Sequence, residues 1–294
     1  MRGATIAMVM LLGLSVWHSV AETHPEKKRA PGSPGRALVV IGANDANSQQ
    51  EQNVVMSWLH HCANNRQASE TAGLKVLLVE PNPTVYVRLV ENVKTLYKSV
   101  PSIVPVNMLI GAEGMGTEAQ FYTINTTMLL HDCPHAPHWL LYQLSSLSRS
   151  SIDAGLHVFY RDPRKRRKCG PSTPYTNGSQ YVVQQSVSVV TFAQLLHQNH
   201  LTPADVDVLV VDAQGYDAAI LTQAFAASPF LFPRVVIFEH NQLRPDVKNS
   251  TIVMLESKGY ATDCPVVEGR AMCMRAENVY AMHTRRGLYL GPNH

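Results

Sequence analysis

No stretch of this chain beyond Val20 is apolar enough to span a bilayer, which takes roughly 20 consecutive apolar residues. Charge is scarce as well. Only 16% of residues are charged, and 25 Lys plus Arg stand against 22 Asp plus Glu, so bulk charge makes no case for a nucleic-acid partner. The basic residues that stand out are crowded into Arg161, Arg164, Lys165, Arg166, Arg167 and Lys168. Such a run fits a convertase site or an anionic-substrate patch, but an exposed loop of charge is the commonest cause. None of the five cysteines is paired in a C-x-x-C spacing, which argues against a structural zinc site of that kind. In an oxidising compartment Cys264 and Cys273 would close a short loop and Cys133 would reach Cys169, leaving Cys62. Sequence does not fix that connectivity. No internal repeat is visible, and the length suits one large domain or two small ones.

What is present at the N-terminus is a targeting layout. Arg2 precedes an apolar run from Ala4 to about Val16, and Ser19-Val20-Ala21 places small residues where a signal peptidase cuts. This predicts a signal peptide over 1–21, or a short signal anchor if it is retained. Residues 22–36, rich in charge, Pro and Gly, read as a flexible stalk. Asn125-Thr126-Thr127, Asn177-Gly178-Ser179 and Asn249-Ser250-Thr251 are glycosylation acceptors in polar or turn-like settings. Together these features predict a lumenal or secreted destination.

From residue 37 onward, strands and helices alternate. Ala37–Ile41, Lys75–Val79, Ile103–Val106, Val182–Val190, Val206–Val211 and Arg234–Phe238 read as strands, with Phe121–Ile124 a further candidate and Tyr260–Asp263 and Asn278–His283 as closing strands. Gln50–Cys62, Thr84–Tyr97, Phe192–Gln198, Asp217–Ala227 and Val247–Lys258 have helical periodicity. In Thr84–Tyr97 the residues Val87, Val90, Val93 and Leu96 form the expected buried face. Residues 125–180 mix prolines, histidines, serines and the basic run, and read as a long insertion or lid. Apolar strands alternating with helices predict an α/β fold, a mostly parallel sheet covered on both faces.

Ligands bind beyond the carboxyl ends of such strands. There the chain places Gly42-Ala43-Asn44-Asp45, then Glu80-Pro81-Asn82, then Asp212-Ala213-Gln214-Gly215, and then Glu239-His240. Gly42 permits a tight turn and close backbone approach. Glu80 is placed to accept hydrogen bonds from two ribose hydroxyls, or else to cap the helix beginning near Pro83. A dinucleotide loop wants G-x-G-x-x-G so that a pyrophosphate can rest on bare backbone. With one glycine, this loop opposes a nucleotide-dependent oxidoreductase and suits the amino-acid end of S-adenosylmethionine. His131-Asp132-Cys133-Pro134-His135-Ala136-Pro137-His138 has the look of a metal clip, but its prolines and loop setting favour a solvated loop, and no metal ligands are assigned.

Ile41–Asp45, Val79–Pro83, the stretch Val104–Tyr122, Val208–Asp217 and Val235–His240 stand in the order found in FkbM-type methyltransferases, which residues 37–260 resemble. The resemblance implies a class I, Rossmann-like methyltransferase fold that uses S-adenosylmethionine to methylate a hydroxyl of a sugar or similar small molecule. By that resemblance Gly42, Ala43, Asn44, Glu80 and Asn82 would bind the cofactor, while Asp212 and Glu239 would face the reacting centre. His240 is added as a candidate general base, because its ordinary pKa lies near working pH.

Three positions depart from the family pattern. Val40 stands where an Asp usually precedes the I/V-G-A-N word, Gln214 replaces the Glu of D-x-E-G, and Ala193 occupies an acidic place in a T-L-D word. The expected function is therefore a secretory-pathway O-methyltransferase acting on a glycan or small molecule. A catalytically lapsed, secreted binding protein is the alternative that the lost carboxylates favour.

Overall fold

Arg36–Ile41 (β1) and Leu74–Val79 (β2) are nearly continuous runs of Val, Leu and Ile, with no solvent face to offer. Runs of this kind are stable only as inner strands covered on both sides. In the computed structural model they pair in parallel at the centre of a seven-stranded sheet. The structure describes residues 36–47, 59, 63, 73–98, 100, 102–112, 114–166, 169, 179–228, 230–262, 266–267, 270–271 and 278–283. Outside the described residues lie the leader, nearly all of the stalk and of the Gln50–Cys62 helix, Asn177 and Gly178, Arg167 and Lys168, and Cys62, Cys264 and Cys273.

After β2 comes helix α1 (Pro83–Leu96), started by Pro83 and by the Asn82 side chain, which accepts from Thr84 N. Then follow β3 (Ile103–Val106), β4 (Leu109–Ile110) and β5 (Glu118–Ile124). Residues 125–181 contain α2 (Thr126–Asp132), a π-helical turn at Trp139–Gln143, α3 (Arg149–Arg161) and α4 (Pro163–Arg166). The chain continues through β6 (Val182–Val190), α5 (Phe192–Gln198), β7 (Val206–Val211), α6 (Asp217–Ala227), β8 (Val235–Glu239) and α7 (Pro245–Ser257). It closes with β9 (Tyr260–Ala261), a small antiparallel pair of β10 (Val266–Val267) and β11 (Arg270–Ala271), and β12 (Asn278–His283).

The main sheet has the order β3-β2-β1-β7-β8-β12-β9. Its first five strands run parallel, and β12 runs antiparallel to both β8 and β9. This is the mostly parallel, Rossmann-like sheet expected from the sequence. The strand order reverses between β1 and β7, which makes their carboxyl ends the switch point at which α/β sheets bind ligands.

Because side chains alternate along a strand, each inner strand feeds two cores. Val39, Ile41, Leu77, Val79, Leu209 and Val211 pack with Phe192, Leu195, Ile220, Leu221 and Phe225 on one face. Leu38, Val40, Val76, Leu78, Val208 and Val210 pack with Leu59, Leu89 and Tyr97 on the other. The helical phase expected for α1 needs correction. Val85 and Leu89 are its buried residues, and Val87 is 68% exposed. Val87 lies two residues from each, about 200° around the helix, and so faces away.

The described part of residues 125–181 is more regular than its composition implies. It builds a third core from Leu129, Leu140, Leu141, Ile152, Leu156, Phe159, Tyr160 and Tyr181, and Cys133 is disulfide-bonded to Cys169 within it. The segment springs from the antiparallel pair β5–β6, with Asn125 N donating to Tyr181 O at 2.7 Å. Of the glycosylation acceptors, Asn125 caps α2, whereas Asn249 stands inside α7 with Thr251 buried rather than in a turn.

Candidate functional site

The turn after β1 is shaped by its neighbours. Gly42 N and Ala43 N both donate to Val79 O, at 2.9 and 3.0 Å, and Asp212 N donates to Ile41 O at 2.9 Å. Gly42 has φ +79°, and a Cβ there would lie 1.7 Å from the Asp212 carbonyl oxygen. The close approach that demands glycine is therefore to the end of β7. Asn44 and Ala46 also adopt positive φ. Gly42, Asn44 and Asn47 are half-buried, Ala43 and Ala46 pack in the core beneath, and Asp45 is fully buried beside them.

Glu80 locks this turn. One carboxylate oxygen accepts from Asn44 N at 3.0 Å and the other from Asn82 N at 2.8 Å. Glu80 is 6% exposed, and burial lifts its pKa to about 7 against the two N–H donors, with the Asp212 and Asp45 charges adding to the rise. A carboxylate has about four acceptor positions, so two remain after the backbone donors. Asn44 Oδ1 is held by Asp45 N, which turns its amide donors to other partners. These groups fit the hydroxyl-rich and zwitterionic parts of an adenosyl-amino-acid ligand. Ala43 and Asn82 fit less well as side-chain contacts: Ala43 is packed in the core, and Asn82 Oδ1 caps α1 by accepting from Thr84 N at 3.1 Å.

Beneath the turn, Asp45 collects partners from two other parts of the chain. Arg88 of α1 donates to its Oδ2 through Nε and Nη2 at 3.1 and 2.8 Å, and His138 Nε2 lies 3.2 Å from the same oxygen. Burial opposes ionisation of Asp45, but the hydrogen bonds from His138 and Arg88 outweigh it and hold the carboxyl below its usual range. Tyr142, one turn beyond His138, places its ring 4.1 Å from the Arg88 guanidinium carbon.

On the far side of Gly42, the ends of β7 and β8 bring Asp212 and Glu239 together. Gln214 Nε2 donates to Asp212 Oδ1 at 3.2 Å and to Glu239 Oε2 at 3.3 Å. Its Oε1 accepts from Gln242 Nε2. Asp217, fully buried at the start of α6, accepts from Ala213 N, Gly215 N and Glu239 N at 3.3, 3.1 and 3.2 Å. Burial, with the Asp212 charge, raises Asp217 to about 7. Burial, then the charges of Asp212 and Asp217, raises Glu239 to about 8, with hydrogen bonds to Asp212 and Asn241 also acting on it. A carboxyl so shifted exchanges its proton near neutral pH, which is what general acid–base work requires. His240, next in the chain, has a buried Nε2 without a hydrogen-bond partner.

The structure thus brings Gly42, Asn44, Glu80, Asp212 and Glu239 to one edge of the sheet, with His240 adjoining. Sequence reasoning gave no role to Asp45, Arg88, His138, Tyr142 or Asp217, and marked Gln214 only as a departure from the family word. Of the first five only Asp217 carries a local sign, an acid opening a helix after a glycine turn. Among the described residues, no group of three or more His, Cys, Asp or Glu is placed to hold a metal ion. In the His131–His138 stretch, exposed His131 pairs with Asp132, while His138 turns to Asp45.

The chain matches the methyltransferase FkbM domain family over residues 41–261. Comparison with curated proteins gives no match. Among solved structures it is similar to a precorrin-6y C5,15-methyltransferase from Geobacter metallireducens GS-15. That similarity spans 91% of this chain and 86% of that one, at 10% identity and a TM-score of 0.35.

Proposed function

Because the chain belongs to the methyltransferase FkbM family, we propose that it is an S-adenosylmethionine-dependent O-methyltransferase of the secretory pathway, acting on a hydroxyl of a glycan or small molecule. The observation that carries this reading is the division of carboxylates about Gly42. Glu80 holds the turn on one side, and Asp212 and Glu239 are joined through Gln214 on the other. When bound, the cofactor supplies an electrophilic methyl group on a sulfonium sulfur. Gly42 and Asn44 would line its amino-acid end, and Glu80 would accept from the ribose hydroxyls. Asp212 and Glu239 would orient the acceptor hydroxyl, and this pair or His240 would take its proton.

The expected leader and the Cys133–Cys169 disulfide support an oxidising compartment. Among the described residues no helix is long and apolar enough to cross a membrane. The competing reading, a lapsed enzyme kept as a binding protein, rests on the three replaced carboxylates. Val40 is fully buried in the second core and Ala193 is exposed on α5, so of the three only Gln214 lies in the hydrogen-bonded cluster. Calorimetric titration of the secreted chain with S-adenosylmethionine and S-adenosylhomocysteine tests the enzyme reading. Binding that weakens at least tenfold in Glu80→Ala supports it, and no binding by folded protein overturns it.

A further inference from the structure

Gln214 is the family departure that falls inside the site, and its geometry is not that of a residue tolerated by default. Its φ is +51°, a left-handed conformation uncommon for residues other than glycine, and Gly215 follows at +96°. Non-glycine residues in this region persist where the surroundings over-determine them, typically at functional sites. Here Asp217 does so, by accepting from Ala213 N and Gly215 N on either side of Gln214. The same Asp217 Oδ1 that takes Ala213 N also accepts from Glu239 N. One buried carboxylate thus fixes the backbone under Gln214 and the backbone under Glu239.

The side chain is equally constrained. Gln242 Nε2 donates to Gln214 Oε1, which fixes the sense of the amide and presents its NH₂ group to the two carboxylates. An NH₂ has two hydrogens, and Asp212 and Glu239 take one each. Two acids at neighbouring strand ends repel when both are ionised, and each ionises more easily when it accepts a hydrogen bond. A third carboxylate at position 214, as in the family word, would add repulsion to that place and supply the oxygens that a hard divalent cation seeks.

Building on the transferase reading above, we propose that Gln214 is a positioning residue whose amide bridges Asp212 and Glu239, serving between them in place of a divalent cation. The acceptor hydroxyl is then oriented by an acid pair that shares a hydrogen bond of its own and is also held by the neutral amide of Gln214. The departure from the family word is a change in how the pair is held and not a loss of the pair. Asp217, Asn241 and Gln242 complete the polar surroundings of the bridge.

The test uses the full secreted chain as wild type, Gln214→Glu, Gln214→Leu, and Gln214→Glu combined with Glu239→Gln. Each is titrated calorimetrically with Mn²⁺ alone and, separately, with S-adenosylhomocysteine. Gln214→Glu is expected to bind Mn²⁺ at least tenfold more tightly than wild type, and the added Glu239→Gln change to abolish that gain. Equal Mn²⁺ affinity in wild type and Gln214→Glu, or a gain that survives Glu239→Gln, overturns the proposal.

Should Gln214→Glu fail to fold, the carboxyl titration of Glu239 followed by ¹³C NMR decides between the outcomes. Its midpoint rises in Gln214→Leu if the bridge is real, and an unmoved midpoint overturns it. Failure of every form to bind S-adenosylhomocysteine would sink the transferase reading without touching either of these results.

Discussion

His138 Nε2 lies 3.2 Å from Asp45 Oδ2, a contact spanning 93 residues of chain. It ties the segment between β5 and β6 to the turn after β1, and Tyr142 reinforces it by packing on Arg88. His138→Ala should therefore loosen that segment and the turn together. Limited proteolysis within residues 125–181 is expected to accelerate, and S-adenosylhomocysteine affinity to drop about three- to tenfold, equivalent to about 1 kcal/mol. Unchanged affinity in the face of faster cleavage would show that the contact serves the segment alone.

Asp45 itself carries an acid-sensitive share of stability. Its folded pKa is depressed, so its contribution is present above the unfolded value near 4 and is lost as pH falls through the folded value. Asp45→Ala leaves Arg88 and His138 facing a buried void and should cost about 3 kcal/mol at pH 7. Urea unfolding from pH 7 down to pH 3 would show the variant's deficit shrinking as the wild type loses its own ion pair.

Glu80, Asp217 and Glu239 have the opposite sign. Their folded pKa values are raised, to about 7, 7 and 8, so the native state holds protons that the unfolded chain releases near pH 4. Stability from these groups is complete below the unfolded values and declines as pH rises through the folded ones. Glu239→Gln imitates the protonated form. It should flatten the loss between pH 5 and 8 and leave the protein about 1–2 kcal/mol more stable at pH 8, since one pKa unit is about 1.4 kcal/mol. Methyl transfer should be lost in the same variant. A variant no more stable than wild type at pH 8 would refute the assignment.

Gly42→Ala and Gly114→Ala make a matched pair. Both glycines have positive φ, but a Cβ at Gly42 would collide with Asp212 O, while nothing lies within 4 Å of one at Gly114. Gly114→Ala should cost about 1 kcal/mol, the conformational penalty alone. Gly42→Ala should exceed about 3 kcal/mol or prevent folding, because backbone must move. Chemical denaturation of the two variants gives the comparison directly.

Cys133 and Cys169 are 36 residues apart, so their bond removes about 4 kcal/mol of loop entropy from the unfolded chain. In Cys133→Ser, hydrogen exchange should rise around Leu129, Leu140 and Phe159, and stay slow in β1, β2 and β7. Uniform acceleration across the main sheet would mean that the third core and the sheet open as one unit.

The parallel sheet was legible because its strands are uninterrupted apolar runs and its polar residues fall at strand ends, where Glu80, Asp212 and Glu239 all stand. What escaped notice depends on contacts distant in sequence. An acid at 217 reads locally as favourable helix-start charge, yet its oxygens serve N–H groups from two separate strand ends. His138 sits among prolines and histidines that resemble a metal clip, and its partner is in another part of the chain. The third core was hidden because Leu129 and Leu140 sit on short helical pieces, and because the one readable period, Ile152, Leu156, Phe159 and Tyr160 on α3, lies among prolines, histidines and basic residues that suggest a loop. Val87 was misplaced because several faces of α1 carry valine, and only packing selects Val85 and Leu89.

The hydrogen bond from Asn125 N to Tyr181 O sets the two ends of the intervening segment side by side on one hairpin. A segment anchored in this way can be lengthened, trimmed or exchanged without asking any strand of the main sheet to move. Variation can therefore remodel this segment while the sheet and its strand-end acids are inherited intact, provided that the contact from His138 to Asp45 is kept.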